Sequence, residues 1–377
     1  MIDAEPSGRD NGGWGRATLR PLSHPSFSVT PLPSLGRFMT LQHAIYSCTL
    51  MSLLLCGSLT LAQEITVTDS NDEIRIETDS LEATIVKKGY VTGVKAQSLL
   101  DKATQARDLG FGLDIADWIM EPGSDLEYRN QLPAEMVYEF GNEYHGKTAK
   151  RSIEGPQICT QAKELSPEII RGTDFVAVQQ SFRYHTAAPG KKSGSTWTQL
   201  MVFPQGKRYF LSMQKIDAVN DSEAMFLRID MPGHIKHLKG DSFSQIFLSY
   251  VGKIPAKEFD ANFAPDERFN YQRGVNPLPQ RFIRAYQIKQ RGEVQRDVWL
   301  AGMTLDPAVV SEAWCHQRGY VCMIEEFGGR PIRAGETFSA AFIVGYFDSI
   351  EEMEATYDKY RGFTRLQVRD DRWTLQR

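Results

Sequence analysis

The sequence predicts a mainly β protein, built as one large antiparallel β-sandwich with few short helices. Three observations predict it. Between Gln63 and Phe347, apolar and polar residues alternate with period two in run after run, as strands with one buried face require. Short clusters of Asp, Asn, Ser, Gly and Pro separate the runs and supply turn chemistry. Only two segments carry a helix start signal, and strands this numerous must bury their apolar faces sheet on sheet.

The first strands are "EITVTD", "EIRIETD" and "LEATIVKKG", each closed by a turn residue. "DFVAVQQSFRYHT" follows, then "TWTQLMVFPQGKRYFLSMQKIDAV", in which Pro204-Gln205-Gly206 joins two long strands as a hairpin. "AMFLRIDM", "FSQIFLSYVG", "RFIRAYQIKQ", "VQRDVWLAGMTL" and "FSAAFIVGYF" continue the pattern. The segment "AAPGKKSGS" at 187–195 reads as a loop, because strand patterning resumes on both sides. Asp306 and Pro307 make an N-cap with Pro at the first helical position, so "DPAVVSEAWC" is expected to turn helically. Ser349 and Glu352 form a capping box for "SIEEMEATYDKYRG", which Gly362 stops. Residues 63–365 are expected to form a single domain, with 366–377 a loosely held charged tail.

Residues 1–38 are rich in Pro, Ser, Gly and Arg without apolar periodicity, and read as a disordered leader or an unused upstream start. Met39 then opens an apolar run that ends in Thr60-Leu61-Ala62, so 39–62 reads as a signal peptide and the chain as exported, periplasmic or extracellular. The run is short for a membrane span, so no stable membrane insertion is expected after the signal is removed. Cys48 and Cys56 leave with the signal. Cys159, Cys315 and Cys322 remain, too few for a disulfide framework, although a turn at Arg318-Gly319 would let Cys315 and Cys322 pair. A formal net charge of −4 without a basic stretch argues against a nucleic-acid partner. The chain has no phosphate loop, dinucleotide fingerprint, G-x-S-x-G elbow or H-E-x-x-H, so no cofactor and no metal are implied.

Three separated segments, in order, resemble the galactose mutarotase (aldose 1-epimerase) superfamily of carbohydrate-active β-supersandwiches. They are "DSLEATIVKKGYVTGVKAQSLLDKATQARDL" (79–109), "KRYFLSMQKIDAVNDSEAMFLRIDMPGH" (207–234) and "YVCMIEEFGGRPIRAGETFSAAFIVGYF" (320–347). The resemblance implies a mutarotase-like supersandwich with His234 at the catalytic histidine and Glu325 at the catalytic glutamate. Glu326 is the other candidate, since alternation sends the two side chains to opposite faces. In such enzymes the glutamate removes the anomeric proton and the histidine protonates the ring oxygen, which needs an acid and a base tuned to the working pH. Ile-Lys-His after His234 departs from the family pattern and points away from simple galactose.

The Gly-bounded stretch "GNEYHGKTAKRSIEGPQICT" (141–160) adds Tyr144 and His145, the residue types of a proton-abstracting pair in uronate lyases. Arg151 or Gln157 would neutralise a substrate carboxylate, and His316 and Arg318 sit in the turn before the glutamate strand. The expected partner is a mono-, oligo- or polysaccharide, uronate-containing ones included. The expected function is general acid/base chemistry on it, epimerase-like or lyase-like. The alternative is a glycan-binding sandwich without catalysis.

Overall fold

The computed structural model describes residues 65–137, 146, 148–237, 242–265, 267–289 and 297–377. The leader, the signal segment, Tyr144, His145 and Lys147 lie outside the described residues. Two large antiparallel sheets dominate. The nine-stranded sheet runs in the order Glu168–Arg171, Phe175–Arg183, Thr196–Pro204, Tyr209–Asp217, Thr337–Phe347, Val298–Thr304, Ile283–Ile288, Phe243–Leu248, Gly252–Pro255. The eight-stranded sheet has the order Thr186–Ala187, Lys150–Gly155, Gly110–Pro122, Ser222–Lys236, Tyr320–Ile332, Val310–Gln317, Tyr271–Gln272, with Val94–Lys95 pairing off the path on Gly110–Pro122. The strands that matter for the site are β1 (Gly110–Pro122), β2 (Lys150–Gly155), β3 (Ser222–Lys236), β4 (Ile283–Ile288), β5 (Val298–Thr304), β6 (Val310–Gln317) and β7 (Tyr320–Ile332).

The main core lies between the two sheets. Ile229, Val321, Met323 and Phe327 of the eight-stranded sheet pack against Tyr286, Leu300, Phe342 and Val344 of the nine-stranded one. Polar ties cross the same gap. Gln199 and Gln214 donate to the buried Asp114 carboxylate at 2.7 Å each, and Tyr286 donates to the Gly233 carbonyl. Buried polar networks of this kind help to fix one register between sheets. The outer face of the nine-stranded sheet is covered by the helix Ile350–Tyr360 and the hairpin of Arg365–Arg369 with Arg372–Gln376. A small sheet of Thr66–Asp69, Glu73–Glu77, Leu81–Val86 and Leu100–Asp101 and a two-stranded ladder of Lys88–Gly89 with Lys163–Glu164 accompany the two large sheets.

Local expectations divide. The helix begins where the cap predicts, with Ser349 Oγ accepting from the Glu352 amide at 3.1 Å. "DPAVVSEAWC" does not become a helix: one 3₁₀ turn at Pro307–Val309 passes straight into β6. Asp306 still caps that turn, accepting from the Ala308 amide at 3.0 Å. The alternation of Ala313, Cys315 and their partners across β7 is what decides in favour of strand. The chain after Phe363 is not a loose tail, because it folds into the terminal hairpin and buries Leu366. Cys315 and Cys322 do not pair. Cys315 faces the inter-sheet core while Cys322 faces the opposite side, and both are free and buried.

Candidate functional site

The outer face of the eight-stranded sheet gathers most of the chemically able side chains. β1, β3, β6 and β7 are its central strands, and alternation decides which residues reach it. On β7, Val321, Met323, Glu325 and Phe327 point between the sheets, whereas Cys322, Ile324 and Glu326 point outward. On β6, Trp314 and His316 share that outward face, opposite Ile324 and Cys322.

His234 is placed by an irregularity in β3. In a regular strand, Asp230 and His234 would stand about 13 Å apart, four residues at about 3.3 Å each. Here Asp230 pairs with Ile324 and Ile235 with Val321, so β3 spends more residues than its partner over the same span. Pro232, which has no N–H to give the ladder, sits in the middle. Gly233 and Gly110 allow the close approach to β1: a Cβ at Gly233 would fall 2.0 Å from the Gly112 carbonyl, and one at Gly110 would fall 1.8 Å from that of His234. The bulge brings His234 Nε2 to 2.7 Å from Asp230 Oδ1. That contact is an ion pair rather than an aligned hydrogen bond, and neither atom has a hydrogen-bond partner among the described residues. Burial opposes a charged imidazole, but Asp230 and Cys322 outweigh it and hold the His234 pKa well above its usual range.

Asp117 of β1 completes a three-residue group. The His234 side chain is 15% exposed, and Asp117 is buried, 7% exposed as a residue. Burial, followed by the nearby Asp230 charge, raises its carboxyl from 3.8 to about 7, against the opposing pull of Arg228, Gln157 and His234. Gln157 Nε2 donates to Asp117 Oδ1, and the Thr160 hydroxyl donates to Gln157 Oε1, which fixes the amide orientation. Beside the group, the Phe111 and Tyr320 rings lie 5.0 Å apart, with His234 5.3 Å from Tyr320 and 6.3 Å from Phe111.

The same face continues as a buried charge network. Glu326 Oε1 accepts from Arg228 Nε at 3.0 Å and Nη2 at 2.7 Å, and Glu326 Oε2 lies 3.0 Å from Lys150 Nζ. Lys150 also donates to Glu312 at 2.8 Å, and Trp314 lies between the two cations, 4.6 Å from Lys150 Nζ and 5.2 Å from the Arg228 guanidinium. Desolvation works against the Lys150 charge, and its two glutamates more than offset it.

The residues singled out in the sequence separate accordingly. His234, Gln157, His316, Arg318 and Glu326 belong to the outward face or its rim. Glu325 does not share that face: it is fully buried between the sheets, with Arg284 of β4 at 3.0 Å and the Thr304 hydroxyl of β5 at 2.7 Å. Burial is the main reason its carboxyl sits above the usual range. Arg151 is tied to Glu121 at 2.7 Å and pairs with it in register, while His234 pairs with Gly112. Those register positions are roughly 30 Å apart along β1 at ordinary strand rise. Arg318 is exposed and donates to the Tyr320 hydroxyl at 2.9 Å. Asp117, Asp230, Phe111, Lys236 and Arg228 escaped sequence reasoning. The signal for Asp117, Arg228 and Asp230 was charged residues inside the apolar runs "GLDIADWIM" and "FLRIDMPGH", where an unneeded charge would be costly.

An open groove of about 530 Å³ lies elsewhere, on the small N-terminal sheet between Thr66, Glu73, Arg75, Lys95 and Arg107. Its acids and bases pair with one another at the surface, as Arg75 and Lys95 do on Glu73 at 2.7 Å each, so it offers no convergent chemistry. Among the described residues no helix is long and apolar enough to cross a membrane.

No protein-family model and no curated protein matches the chain. Among solved structures, the galactose 1-epimerase of Lactobacillus acidophilus aligns at 7% identity and a TM-score of 0.39, over 76% of this chain and 98% of that one. A galactose mutarotase-like protein of Clostridium acetobutylicum aligns at 9% identity and a TM-score of 0.39, over 76% and 99%. The 4-alpha-glucanotransferase of Thermococcus litoralis aligns at 11% identity and a TM-score of 0.35, over 76% of this chain and 40% of its own. At these values no residue role transfers from any of them.

Proposed function

We propose that the outward face around His234 is the active site of an exported carbohydrate-active enzyme that moves protons on a sugar ring. One observation carries the proposal. An imidazole held protonated by Asp230 stands on the same face as a carboxyl raised to about 7, beside the Phe111–Tyr320 aromatic wall. Such a pair supplies an acid and a base near neutral pH. Asp117 takes the substrate proton and His234 returns one to the opposite oxygen, while Gln157 holds Asp117 and Asp230 holds His234. Glu326 serves the site through its ion pairs, because acting as base would mean releasing both Arg228 and Lys150. The same division of labour suits anomeric ring opening and removal of a uronate α-proton.

The experiment is a panel of free sugars and uronate-containing glycans. It scores anomeric or epimeric interconversion by NMR, and unsaturated product by its ultraviolet absorbance. Asp117→Asn and His234→Gln should each remove whichever activity is found. Activity that survives both substitutions would end the proposal. The second reading, glycan binding without catalysis, is favoured by the locked state of Glu312 and Glu326. It would be supported by sugar affinity in a protein that turns nothing over.

A further inference from the structure

The outer face of the nine-stranded sheet carries an open strand edge, on the other side of the molecule's core from the His234 face. The terminal hairpin pairs β8 (Arg365–Arg369) with β9 (Arg372–Gln376) through the two-residue turn Asp370-Asp371. In such a hairpin the closing pair, Arg369 and Arg372, exchanges both hydrogen bonds, and every second pair repeats this. Arg365, Gln367 and Arg369 therefore spend their backbone groups on β9. Those of Leu366 and Val368 point out of the opposite edge of β8, where no described strand pairs with them. That edge opens onto a groove of about 330 Å³ above the strands Thr196–Pro204 and Tyr209–Asp217, lined there by Thr198, Leu200 and Met213.

Leu366 and Val368 face the sheet and pack on its outer apolar core, so alternation puts Arg365 and Arg369 on the solvent face of β8. The groove lining holds three cations, Lys215, Arg365 and Arg369, against one carboxylate, Asp217. That carboxylate is already held by Lys215 at 2.8 Å and by the Thr337 hydroxyl at 2.7 Å. Both arginines are exposed, and neither makes an ion pair with a described residue. We infer that the groove takes an extended acidic segment of a partner protein as a third strand beside β8. The incoming backbone bonds Leu366 and Val368, as strand addition to an open edge does. Its side chains opposite those two are apolar and rest toward Leu200 and Met213. Its side chains opposite Arg365 and Arg369 are carboxylates, because unlike charges across a strand pair stabilise it and like charges oppose it. The segment selected therefore reads acid, apolar, any residue, apolar, acid. The inference rests on no property of the His234 site.

The test uses the full chain and a capped peptide, Glu-Val-Thr-Val-Glu, flanked by serines. Calorimetry should show it binding about tenfold or more tighter than Lys-Val-Thr-Val-Lys, by a margin that shrinks as salt rises. N-methylation of both valines removes the donors that face β8 and should abolish binding. Hydrogen exchange at the Leu366 and Val368 amides should slow about tenfold on binding, with little change at Gln367, which already bonds β9. Arg365→Glu combined with Arg369→Glu should reverse the preference between the two peptides and leave the melting temperature nearly unchanged. Failure of the acidic peptide to bind, binding indifferent to the double substitution, or unaltered exchange at both amides would overturn the inference. Protection of those amides that grows with the protein's own concentration, without peptide, would put a second copy on the edge and overturn it as well.

Discussion

Breaking the Arg284–Glu325 pair tests most sharply how the two neighbouring glutamates divide their work. Both side chains are 0% exposed, 3.0 Å apart, and supported by Thr304 on Glu325 and by the Ile324 carbonyl accepting from Arg284 Nη1 at 2.7 Å. Removing one partner of a buried pair leaves a charge without compensation, at a cost of about 3–5 kcal/mol. Arg284→Met and Glu325→Gln are therefore each expected to lower stability by about 3 kcal/mol or more. Making both substitutions in one protein should cost less than their sum, leaving a coupling of at least about 2 kcal/mol. Urea denaturation of the four proteins gives the cycle, and turnover per folded molecule is measured beside it. The singles should lose midpoint while keeping activity below the transition. Additive losses would show that the two charges do not work as a pair. A Glu325→Gln protein of normal stability and no activity would show that the carboxylate acts chemically from the interior, against the face assignment made here.

The remaining predictions concern the bulge, the thiols and proton linkage. Gly233→Ala drives a Cβ into the Gly112 carbonyl at 2.0 Å, and should cost about 1–3 kcal/mol and most of the activity by displacing His234. Cys159, Cys315 and Cys322 should all resist a thiol reagent in the native protein and react on unfolding, and reductant should leave the melting temperature unchanged. Reaction of Cys315 with Cys322 to form a native crosslink would contradict their opposite facing. Asp117 keeps its proton to about pH 7 when folded, against an ordinary value of 3.8. Its contribution is therefore fully present below about pH 4 and lost as pH rises to about 7, by up to about 4 kcal/mol at about 1.4 per unit. In Asp117→Asn that part of the slope should vanish from the pH dependence of the melting temperature.

Much of the sandwich could be read from period-two alternation, because a half-buried strand can satisfy its environment in few other ways. The same rule set the two-face problem at Glu325 and Glu326, but it could not say which face was interior. That depended on Arg284 and Thr304, far away in sequence and supplied by the opposite sheet. "DPAVVSEAWC" misled because its cap is real but local, and the pairing of β6 with β7 overrides it within one turn. The Asp230–His234 contact was hidden by the strand rule itself, which separates the two residues unless a bulge compresses them. Asp117 was passed over because its chemistry comes from burial and from Asp230, neither of which a local sequence window contains.

The most direct test of the central claim is the pH–rate profile of the wild type beside Asp117→Asn, on whichever sugar the panel identifies. The base must be ionised and the imidazole protonated, so the wild-type rate should climb through about pH 7, where Asp117 loses its proton. It should fall again at higher pH, where His234, held above its ordinary range, loses its own proton. Asp117→Asn should remove nearly all the rate, and the rising limb should vanish from whatever remains. An Asp117→Asn enzyme with wild-type turnover and an unmoved limb near pH 7 would contradict the account.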